Sequence, residues 1–287
     1  MTSDASQLQV PAAVRGRPVT IRTLLTLAAS VLALLGVALA AAPAVAVPLR
    51  ADRNGSLQSR AVDQILPITP FVTEGGRARR DVALTFDDGP SEWTPRIAAE
   101  LRRLHAPATF FEIGEQVPNL RAETRRLVRR GFPVGDHTVT HPLLAHHHHG
   151  FQHSQLIGAA NAIAATGAPY PRLFRPPYGS FNATTLRILH KMRMLMVLWT
   201  NDTEDYASPG VRHIVNGALA DLHPGAVILM HDGGGDRRQT VAALPLIVHA
   251  LRARGYRLVT IPQMLVDDPP SPHQRIPDGT GPSATSS

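Results

Sequence analysis

Two histidines separated by three residues are the first feature of this sequence that could carry out chemistry. His137 and His141 enclose the stretch HTVTH, and Pro142 follows directly. Imidazole nitrogens bind zinc and related divalent metals, and a catalytic zinc site needs about three protein ligands plus an open position for water. Because Pro142 cannot continue a helix, we expect the pair to lie on a tight loop or a single turn. Taken alone, the pair is better explained as part of a polar loop, so a metal site requires a third ligand from elsewhere.

Adjacent carboxylates at Asp87 and Asp88 could supply that ligand. Two neighbouring acids can divide the work, one binding a metal while the other stays free as a general base. The sequence DDGP is also a common turn composition. We favour the site over the turn because the acids and the histidines are both predicted to lie at the same face of one sheet.

A histidine and an arginine could complete the acid–base chemistry. His231 ends an apolar segment and could serve as a general acid if a carboxylate keeps it protonated and oriented. Asp202 and Asp205 are the candidate partners, although a hydrogen-bonded histidine of the core is an equally good interpretation. Arg175, in the rigid sequence RPP, could orient a carboxylate through a bidentate contact. The alternative for Arg175 is an ordinary surface position.

Short apolar segments alternate with helix-forming segments through the middle of the chain. Seven of them are predicted to be strands: DVALTF, ATFFEIG, FPVGDHT, RLFRPP, LMVLWT, AVILMHD and YRLVTI. This alternation predicts an α/β fold, either a parallel barrel or a doubly wound sheet. Polar clusters follow five of the strands: TFDDGP, HTVTH, RPPYG, NDTEDY and HDGGG. In a parallel barrel the C-terminal ends of all strands share one face, where active sites are built.

The segments between the strands carry signals for the ends of helices. Helices are predicted with Thr94 as N-cap before Pro95, from Asn119 to Gly131, over SQLIGAANAIAATG ending at Gly167, after an Asn182 cap, and over TVAALPLIVHALRARG with a bend at Pro245. Such helices serve as the crossovers that parallel strands require.

Composition excludes several classes of chemistry. The 287 residues contain no cysteine, so disulfides, thiolate metal sites and cysteine nucleophiles are ruled out. Hydrophobic residues make up 44% and charged residues 18%, which is enough for a substantial core. The net charge of +7 favours a solvated basic surface over a nucleic-acid interface, because no basic run is interleaved with aromatic residues.

The two ends of the chain differ in composition from its middle. Residues 1–46 combine arginines, a long apolar stretch and the small-residue sequence AVA, which is typical of a cleaved signal peptide or, if uncut, of a membrane anchor. We therefore expect a secreted or extracellular protein, held at the membrane only if this segment is retained. Residues 47–79 are predicted to be a linker, 80–266 the catalytic domain, and 267–287 a disordered tail.

In their order and separation, TFDDGP, HTVTH, RPPYG, DTEDY and LMH resemble the five motifs of the polysaccharide deacetylases, which are carbohydrate esterase family four or the NodB homology domain. The resemblance covers residues 80–266. It implies a single domain folded as a deformed barrel with about seven parallel strands. It also implies a divalent metal, zinc or sometimes cobalt, and the removal of N- or O-acetyl groups from sugars.

The same resemblance implies roles for the residues around the metal. Asp88, His137 and His141 match the family's metal ligands. Asp87 matches its catalytic base, and Arg175 matches the arginine that orients the base.

The acid side of the site is implied in the same way. His231 matches the catalytic acid, Asp205 matches the aspartate that pairs with it, and the backbone N–H of Tyr178 matches a group of the oxyanion hole. The fourth motif carries Tyr206 where the family commonly has tryptophan, and this position helps to form the wall of the acetyl pocket. The predicted substrate pocket is lined by Leu229, Tyr206, Pro177 and Trp199.

Together these residues and the resemblance predict a secreted, metal-dependent hydrolase that removes N-acetyl groups from a polysaccharide. The expected substrate is the N-acetylglucosamine of peptidoglycan or of a chitin-like polymer. The alternatives are an O-acetyl esterase of the same family, acting on a xylan-type polymer, and a non-catalytic glycan-binding relic of the fold. The expected partner is the polysaccharide, with no nucleic acid, and the expected state is a monomer. The tract His146–His149 is predicted to be a solvated loop.

Overall fold

The computed structural model describes residues 50–277, with side chains from residue 55 onwards. The predicted export segment, 1–46, and the end of the predicted tail, 278–287, lie outside the described residues. Within residues 50–277, no helix combines the length and the apolar character that crossing a membrane requires.

One sheet of nine parallel strands runs through the described residues. The strands are β1 (Phe71–Val72), β2 (Asp81–Gly89), β3 (Ala108–Glu112), β4 (Val134–Asp136), β5 (Leu173–Phe174), β6 (Leu195–Val197), β7 (Asn201–Asp202), β8 (Ala226–His231) and β9 (Arg257–Val259). Their order is β1-β6-β5-β4-β3-β2-β8-β7, and β9 pairs with the start of β2. The α/β prediction is confirmed, and the two additional strands, β1 and β7, are only two residues long.

Helices cover the connections between these strands. They are α1 (Arg50–Ile65), α2 (Thr94–Arg103), α3 (Arg121–Arg129), α4 (His149–Ala164), α5 (Ala183–Met192), α6 (Val211–Leu219), α7 (Arg238–Ala253) and α8 (Ile261–Asp267). Single turns of 3-10 helix lie at Leu144–His146, Pro177–Gly179 and Asp205–Ala207. The last two turns belong to loops that carry predicted site residues.

The short chain segment between β6 and β7 joins the two ends of the sheet. β6 lies beside the edge strand β1, whereas β7 is the opposite edge. The Leu198 N–H donates to Val72 O of β1 at 2.8 Å, and the Thr200 N–H donates to Val227 O of β8 at 2.9 Å. This segment therefore brings the edges together and curls the sheet into a deformed barrel.

Alternation of side chains along β2 separates the core from the site. Leu84 and Phe86 pack outwards, in the large apolar cluster that includes residues of α2 and α7. Thr85 and Asp87 point to the opposite face, because successive side chains of a strand alternate. Both accept hydrogen bonds from the guanidinium of Arg175 inside the barrel.

From residue 50 onwards, the segment predicted to be a linker is folded. Residues 50–65 form α1, which packs on α8 and buries Ala61, Val62 and Ile65 completely. Gln58 Oε1 also accepts a hydrogen bond from the backbone N–H of Arg172 at 2.6 Å. The linker prediction is therefore wrong for this segment. Little in the sequence indicates the helix, because its buried face is one narrow row of apolar residues on an otherwise polar helix.

Side-chain hydrogen bonds determine which residue caps the N-terminus of two predicted helices. Trp93, not Thr94, is the N-cap residue of α2, because Thr94 Oγ1 accepts the Ser91 N–H at 2.8 Å and donates to Asp232. Asn182 caps α5 as predicted. Neither α6 nor α8 was predicted, and α7 continues through Pro245.

Two segments predicted to be irregular are partly ordered by contacts. The predicted tail begins at Asp267, the last residue of α8. Further along it, the side chain of Gln274 accepts the Thr73 N–H at 2.8 Å. The histidine tract is exposed as predicted. However, α4 already begins at His149, after His148 Nδ1 accepts the Phe151 N–H at 3.4 Å.

Candidate active site

The residues predicted for proton transfer lie side by side at the C-terminal ends of two neighbouring strands. Asp87 on β2 and His231 on β8 are register partners, and the Asp232 N–H donates to Asp87 O at 2.9 Å. Both side chains are almost completely buried. The prediction that these strand ends share one face is therefore confirmed.

Arg175 fixes the carboxylate of Asp87. The guanidinium is fully buried, and its Nη1 donates to Asp87 Oδ1 and to Thr85 Oγ1, each at 2.8 Å. Its Nε and Nη2 donate to the carbonyl oxygens of Val197 and Leu198, both at 3.1 Å. The contact with Asp87 therefore uses a single nitrogen, and the expected bidentate contact is wrong. Oδ2 is left facing the interior of the site.

The three predicted metal ligands form one cluster. Asp88 Oδ1 lies 3.2 Å from His141 Nε2 and 3.5 Å from His137 Nε2. One ligand atom from each residue lies within 4.8 Å of the others. His137 Nδ1 is 2.7 Å from the carbonyl oxygen of Arg175, which can only accept, so Nδ1 carries the hydrogen. Nε2 of His137 is then free to bind a metal, in the arrangement by which neighbouring groups orient metal-binding histidines.

The cluster fits a divalent cation. Asp88 Oδ1 is buried and has no hydrogen-bond partner among the described residues. Burial raises the pKa of Asp88, but the nearby histidines outweigh this and hold the pKa of that carboxyl well below its usual range. Burial, helped by His137, lowers the pKa of His141 to about 4. Both shifts favour the unprotonated forms that bind metal. At His137 burial lowers the pKa, but Asp87 and Asp88 outweigh it and raise the pKa. One carboxylate with two imidazoles is a donor set that suits zinc.

Left-handed backbone conformations cluster at the site. They occur at Asp88 (φ 71°), Thr138 (φ 67°), His141 (φ 57°) and Tyr178 (φ 55°). Each such residue costs about 1–3 kcal/mol, and residues of this kind persist only where the surroundings hold them. Asp136 Oδ1 accepts the Thr138 N–H at 2.8 Å, and Thr138 Oγ1 accepts the His141 N–H at 3.1 Å. These bonds hold the HTVTH loop in the shape that turns both histidines towards Asp88.

His231 is held as a protonated imidazole. Its Nδ1 lies 2.7 Å from Asp205 Oδ1, and its backbone N–H donates to Asp205 Oδ2 at 3.0 Å. Burial lowers the pKa of His231, but the charge and the hydrogen bond of Asp205 outweigh it and raise the pKa to about 9. The other candidate partner, Asp202, instead accepts the Glu204 N–H at 2.9 Å. The structure therefore pairs His231 with Asp205.

Two half-exposed tyrosines flank the site. The ring of Tyr178 meets the ring of His141 edge-on at 4.5 Å between centroids, and Tyr206 meets His231 in the same way at 5.5 Å. Their exposed fractions are 46% and 49%. Leu229 lies two residues before His231 on β8 and is buried. Tyr206 thus lies against the imidazole that we expect to deliver a proton.

The remaining predicted pocket residues lie in different surroundings. Pro177 is buried in the same 3-10 turn as Tyr178. Trp199 lies beside Arg175, with 5.7 Å between the guanidinium carbon and the ring centroid. It also lines a cavity of about 440 Å³ together with Thr73, His223 and others, none of them a predicted metal ligand or proton-transfer residue. A role for Trp199 in the acetyl pocket stays a prediction.

Sequence reasoning missed several residues that support the acid side. Thr240 Oγ1 donates to Asp205 Oδ2 at 2.6 Å. Asp232 is buried directly after His231 and accepts a hydrogen bond from Thr94 Oγ1 at 2.5 Å, and burial raises its pKa to about 7. Arg237 is also buried. The HD doublet at the end of a strand was the one signal for Asp232, whereas Thr240 and Arg237 stand in no recognisable motif.

A parallel barrel that brings a metal-binding cluster, a carboxylate base and a histidine acid to one set of strand ends is the arrangement of a hydrolytic enzyme. The family model described as polysaccharide deacetylase matches residues 74–197. The chain is 38% identical over 198 residues to a chitooligosaccharide deacetylase of Bradyrhizobium sp. (strain ANU 289), covering 64% of this chain and 90% of the relative. The chain therefore belongs to the polysaccharide deacetylase family.

Solved structures agree with this assignment. The Bc1960 peptidoglycan N-acetylglucosamine deacetylase is 33% identical, with a TM-score of 0.67 over 69% of this chain and 94% of that one. The wild-type protein BA3943 of Bacillus anthracis, described as a family-four pseudoenzyme, is 29% identical, with a TM-score of 0.65 over 69% of each chain. The fold is thus shared by active and inactive members, and the residues of the site have to distinguish them.

Proposed function

We propose that this protein removes N-acetyl groups from N-acetylglucosamine units of peptidoglycan or of a chitin-like polymer, outside the cytoplasm, with zinc or cobalt bound. The observation that carries the proposal is the pair of proton-transfer groups, each fixed by its own partner. Asp87 is held by Arg175, and His231 is held by Asp205. Amide hydrolysis needs both a base for water and an acid for the departing amine.

The residues that would hold the metal are Asp88, His137 and His141. A divalent metal bound there would supply Lewis-acid activation of water and of the acetyl carbonyl. Asp87 Oδ2 lies 3.7 Å from His137 Nε2, beside the cluster, so it can take the proton of a water molecule that attacks there. Arg175 occupies Oδ1 and prevents the carboxylate from turning away.

On the other side of the site, His231 delivers the proton that lets the amine leave. Because Nδ1 is bonded to Asp205, Nε2 carries the proton available to the substrate nitrogen. With a pKa of about 9, the imidazole is protonated at neutral pH. As the C–N bond breaks, the proton passes to nitrogen, and Asp205 retains the imidazole in the same orientation. The sugar leaves as a free amine and the acetyl group as acetate.

We assign the oxyanion contact to the backbone N–H of Tyr178 and the acetyl pocket to Leu229, Tyr206, Pro177 and Trp199. Donors fixed where charge develops are among the strongest contributions to acyl transfer. Tyr178 belongs to a rigid turn beside His141, which supports this assignment. Tyr206 replaces a larger indole next to His231, so we expect room for a substituent slightly larger than acetyl.

Two alternatives differ in chemistry. An O-acetyl esterase releases an alcohol, which leaves more readily than an amine and depends less on an acid. The buried His231–Asp205 pair therefore favours N-acetyl substrates. A non-catalytic relic of the fold needs neither base nor acid, yet both are present here and both are fixed by buried partners.

The test is acetate release from N-acetyl-chitooligosaccharides, isolated peptidoglycan and acetylated xylan. Each substrate is assayed before and after chelation, and again with zinc or cobalt restored. We expect acetate from the first two, lost on chelation and regained with metal. Acetate from xylan alone would support the esterase, and none from any substrate despite bound metal would support the relic. Detection of the mature protein in the culture medium or wall fraction tests its export.

A further inference from the structure

Arg237 is a buried arginine whose acceptors are carbonyl oxygens rather than carboxylates. It immediately precedes α7 and is 1% exposed. Its Nε donates to Gly233 O at 2.7 Å, its Nη1 to Asp205 O at 2.8 Å, and its Nη2 to Gly234 O at 2.8 Å. Hydrogen bonds from charged donors are stronger than those from neutral donors, and a guanidinium presents its donors in one rigid plane. Its three bonds therefore fix three carbonyls relative to one another.

The three carbonyls belong to the two loops that meet at the proton donor. Asp205, in the 3-10 turn after β7, holds the imidazole of His231 through its side chain. Gly233 and Gly234 lie in the loop that leaves β8 directly after His231. Arg237 thus joins the loop of the carboxylate partner to the loop that follows the imidazole.

The glycine loop has little freedom to compensate if this link is lost. A side chain at Gly233 would collide with the backbone of Asp88, and one at Gly234 would approach the Asp88 carboxylate. The loop therefore packs against the metal-binding carboxylate on one side and is bonded by Arg237 on the other. Loss of the guanidinium would leave three carbonyls without these bonds, and water or a lysine ammonium could not reproduce their fixed geometry.

We infer that Arg237 is a positioning residue for the proton donor of the reaction, acting on His231 through the backbone of Asp205. This inference rests on the proposed deacetylase function. Arg237 itself touches neither the imidazole nor the predicted ligands, so its effect is to set where the His231–Asp205 pair lies relative to the departing nitrogen. Displacements of about 1 Å in a catalytic group can lower a rate by about a hundredfold.

Substrates with different leaving groups can show whether Arg237 positions the acid or only stabilises the fold. An amine departs only with a proton, whereas 4-nitrophenolate departs from 4-nitrophenyl acetate without one. The aryl ester still requires the metal cluster, the base and a folded barrel. A variant with a misplaced acid should therefore lose turnover on the amide and keep it on the ester.

The experiment compares Arg237→Lys and Arg237→Met with wild type in the full-length protein at saturating zinc. The substrates are an N-acetyl-chitooligosaccharide and 4-nitrophenyl acetate. We expect kcat on the amide to fall about tenfold or more, with KM within about twofold and ester turnover within about threefold. The matched control is Arg238→Lys, because Arg238 is its exposed neighbour and its side chain pairs with Asp236 at the surface. It should leave both activities unchanged.

Equal losses on amide and ester, or no loss on either, would overturn the inference. Variants that lose the ester activity because they no longer fold would count as equal losses and would assign Arg237 to the fold alone. A wild-type protein that cleaves the ester but releases no acetate from the amide would refute the proposed function instead. The two failures are therefore distinguishable.

Discussion

Replacing Asp205 with asparagine should remove the main cause of the raised pKa of His231. Asp205 supplies both the negative charge and the hydrogen bond that raise the pKa of this buried imidazole to about 9. Asparagine has nearly the same shape but no charge. Burial lowers the pKa of His231, whereas the charges of Asp87 and Asp88 still raise it in the variant. The pKa in Asp205→Asn should therefore fall towards its ordinary value of about 6.5.

The size of the effect follows from the fraction of protonated acid. At pH 8 a group with a pKa of about 9 is about 91% protonated, whereas one with a pKa of about 6.5 is about 3% protonated. If turnover depends on the protonated form, kcat on the amide at pH 8 should fall by up to about thirtyfold. At pH 6 both forms are largely protonated, so the loss there should be much smaller.

The assay is the pH dependence of kcat for acetate release between pH 5 and 10. Because the acid must be protonated, activity falls as pH rises through its pKa, so this limb should move to lower pH in Asp205→Asn. Asp202→Asn is the matched control, since Asp202 is the nearby carboxylate that instead caps the Glu204 N–H. Its alkaline limb should move much less, because Asp202 interacts with His231 through charge alone and makes no hydrogen bond to it. An unmoved alkaline limb in Asp205→Asn would refute the assignment of His231 as the acid.

Three other substitutions test separate parts of the structure. Asp88→Asn should lower bound zinc in the purified protein well below one equivalent, and metal content equal to wild type would argue against its role as a ligand. Arg175→Lys keeps the charge but not the four bonds, so kcat should fall about tenfold or more with little change in bound metal, and unchanged kcat would reject its role in holding Asp87. Ile65→Ala should lower the free energy of unfolding by about 2–5 kcal/mol in urea titration, because Ile65 is fully buried against the barrel. A change below about 0.5 kcal/mol, typical of surface sites, would mean that α1 contributes little to the fold.

The residues proposed as metal ligands and base could be recognised in the sequence because they lie as pairs close together along the chain. Asp87 and Asp88 are adjacent, and His137 and His141 belong to one loop, so short motifs bring donor types together before any fold is known. Strand ends then assemble these motifs, and the periodicity of the strands was sufficient to predict that. The residue types left Asp202 and Asp205 open, and only the resemblance to the family motifs favoured Asp205, because the choice depends on which carboxylate the 3-10 turn directs towards His231.

Other features could not be predicted for physical reasons that are equally specific. The buried face of α1 has only three completely buried apolar residues, Ala61, Val62 and Ile65, which are too few to stand out in a polar segment. The helix on which it packs, α8, lies about 200 residues later in the sequence. Arg237 bonds only to backbone carbonyls, which every residue possesses, so no partner side chain could reveal it. Both features depend on tertiary contacts that produce no recognisable pattern in the sequence.

The hydrogen bonds of Arg175 connect the position of the Asp87 carboxylate to the closure of the barrel. The guanidinium that holds Asp87 also bonds to Val197 O and Leu198 O, at the start of the segment that joins the two edges of the sheet. If that segment separated from the sheet edges, Arg175 would also release Asp87. The segment and the Asp87 carboxylate therefore belong to one cooperative unit. Amide hydrogens at Leu198 and Thr200 should consequently exchange with solvent as slowly as those of central β2. The enzyme would then have no partly open state that keeps the proposed base, Asp87, in place.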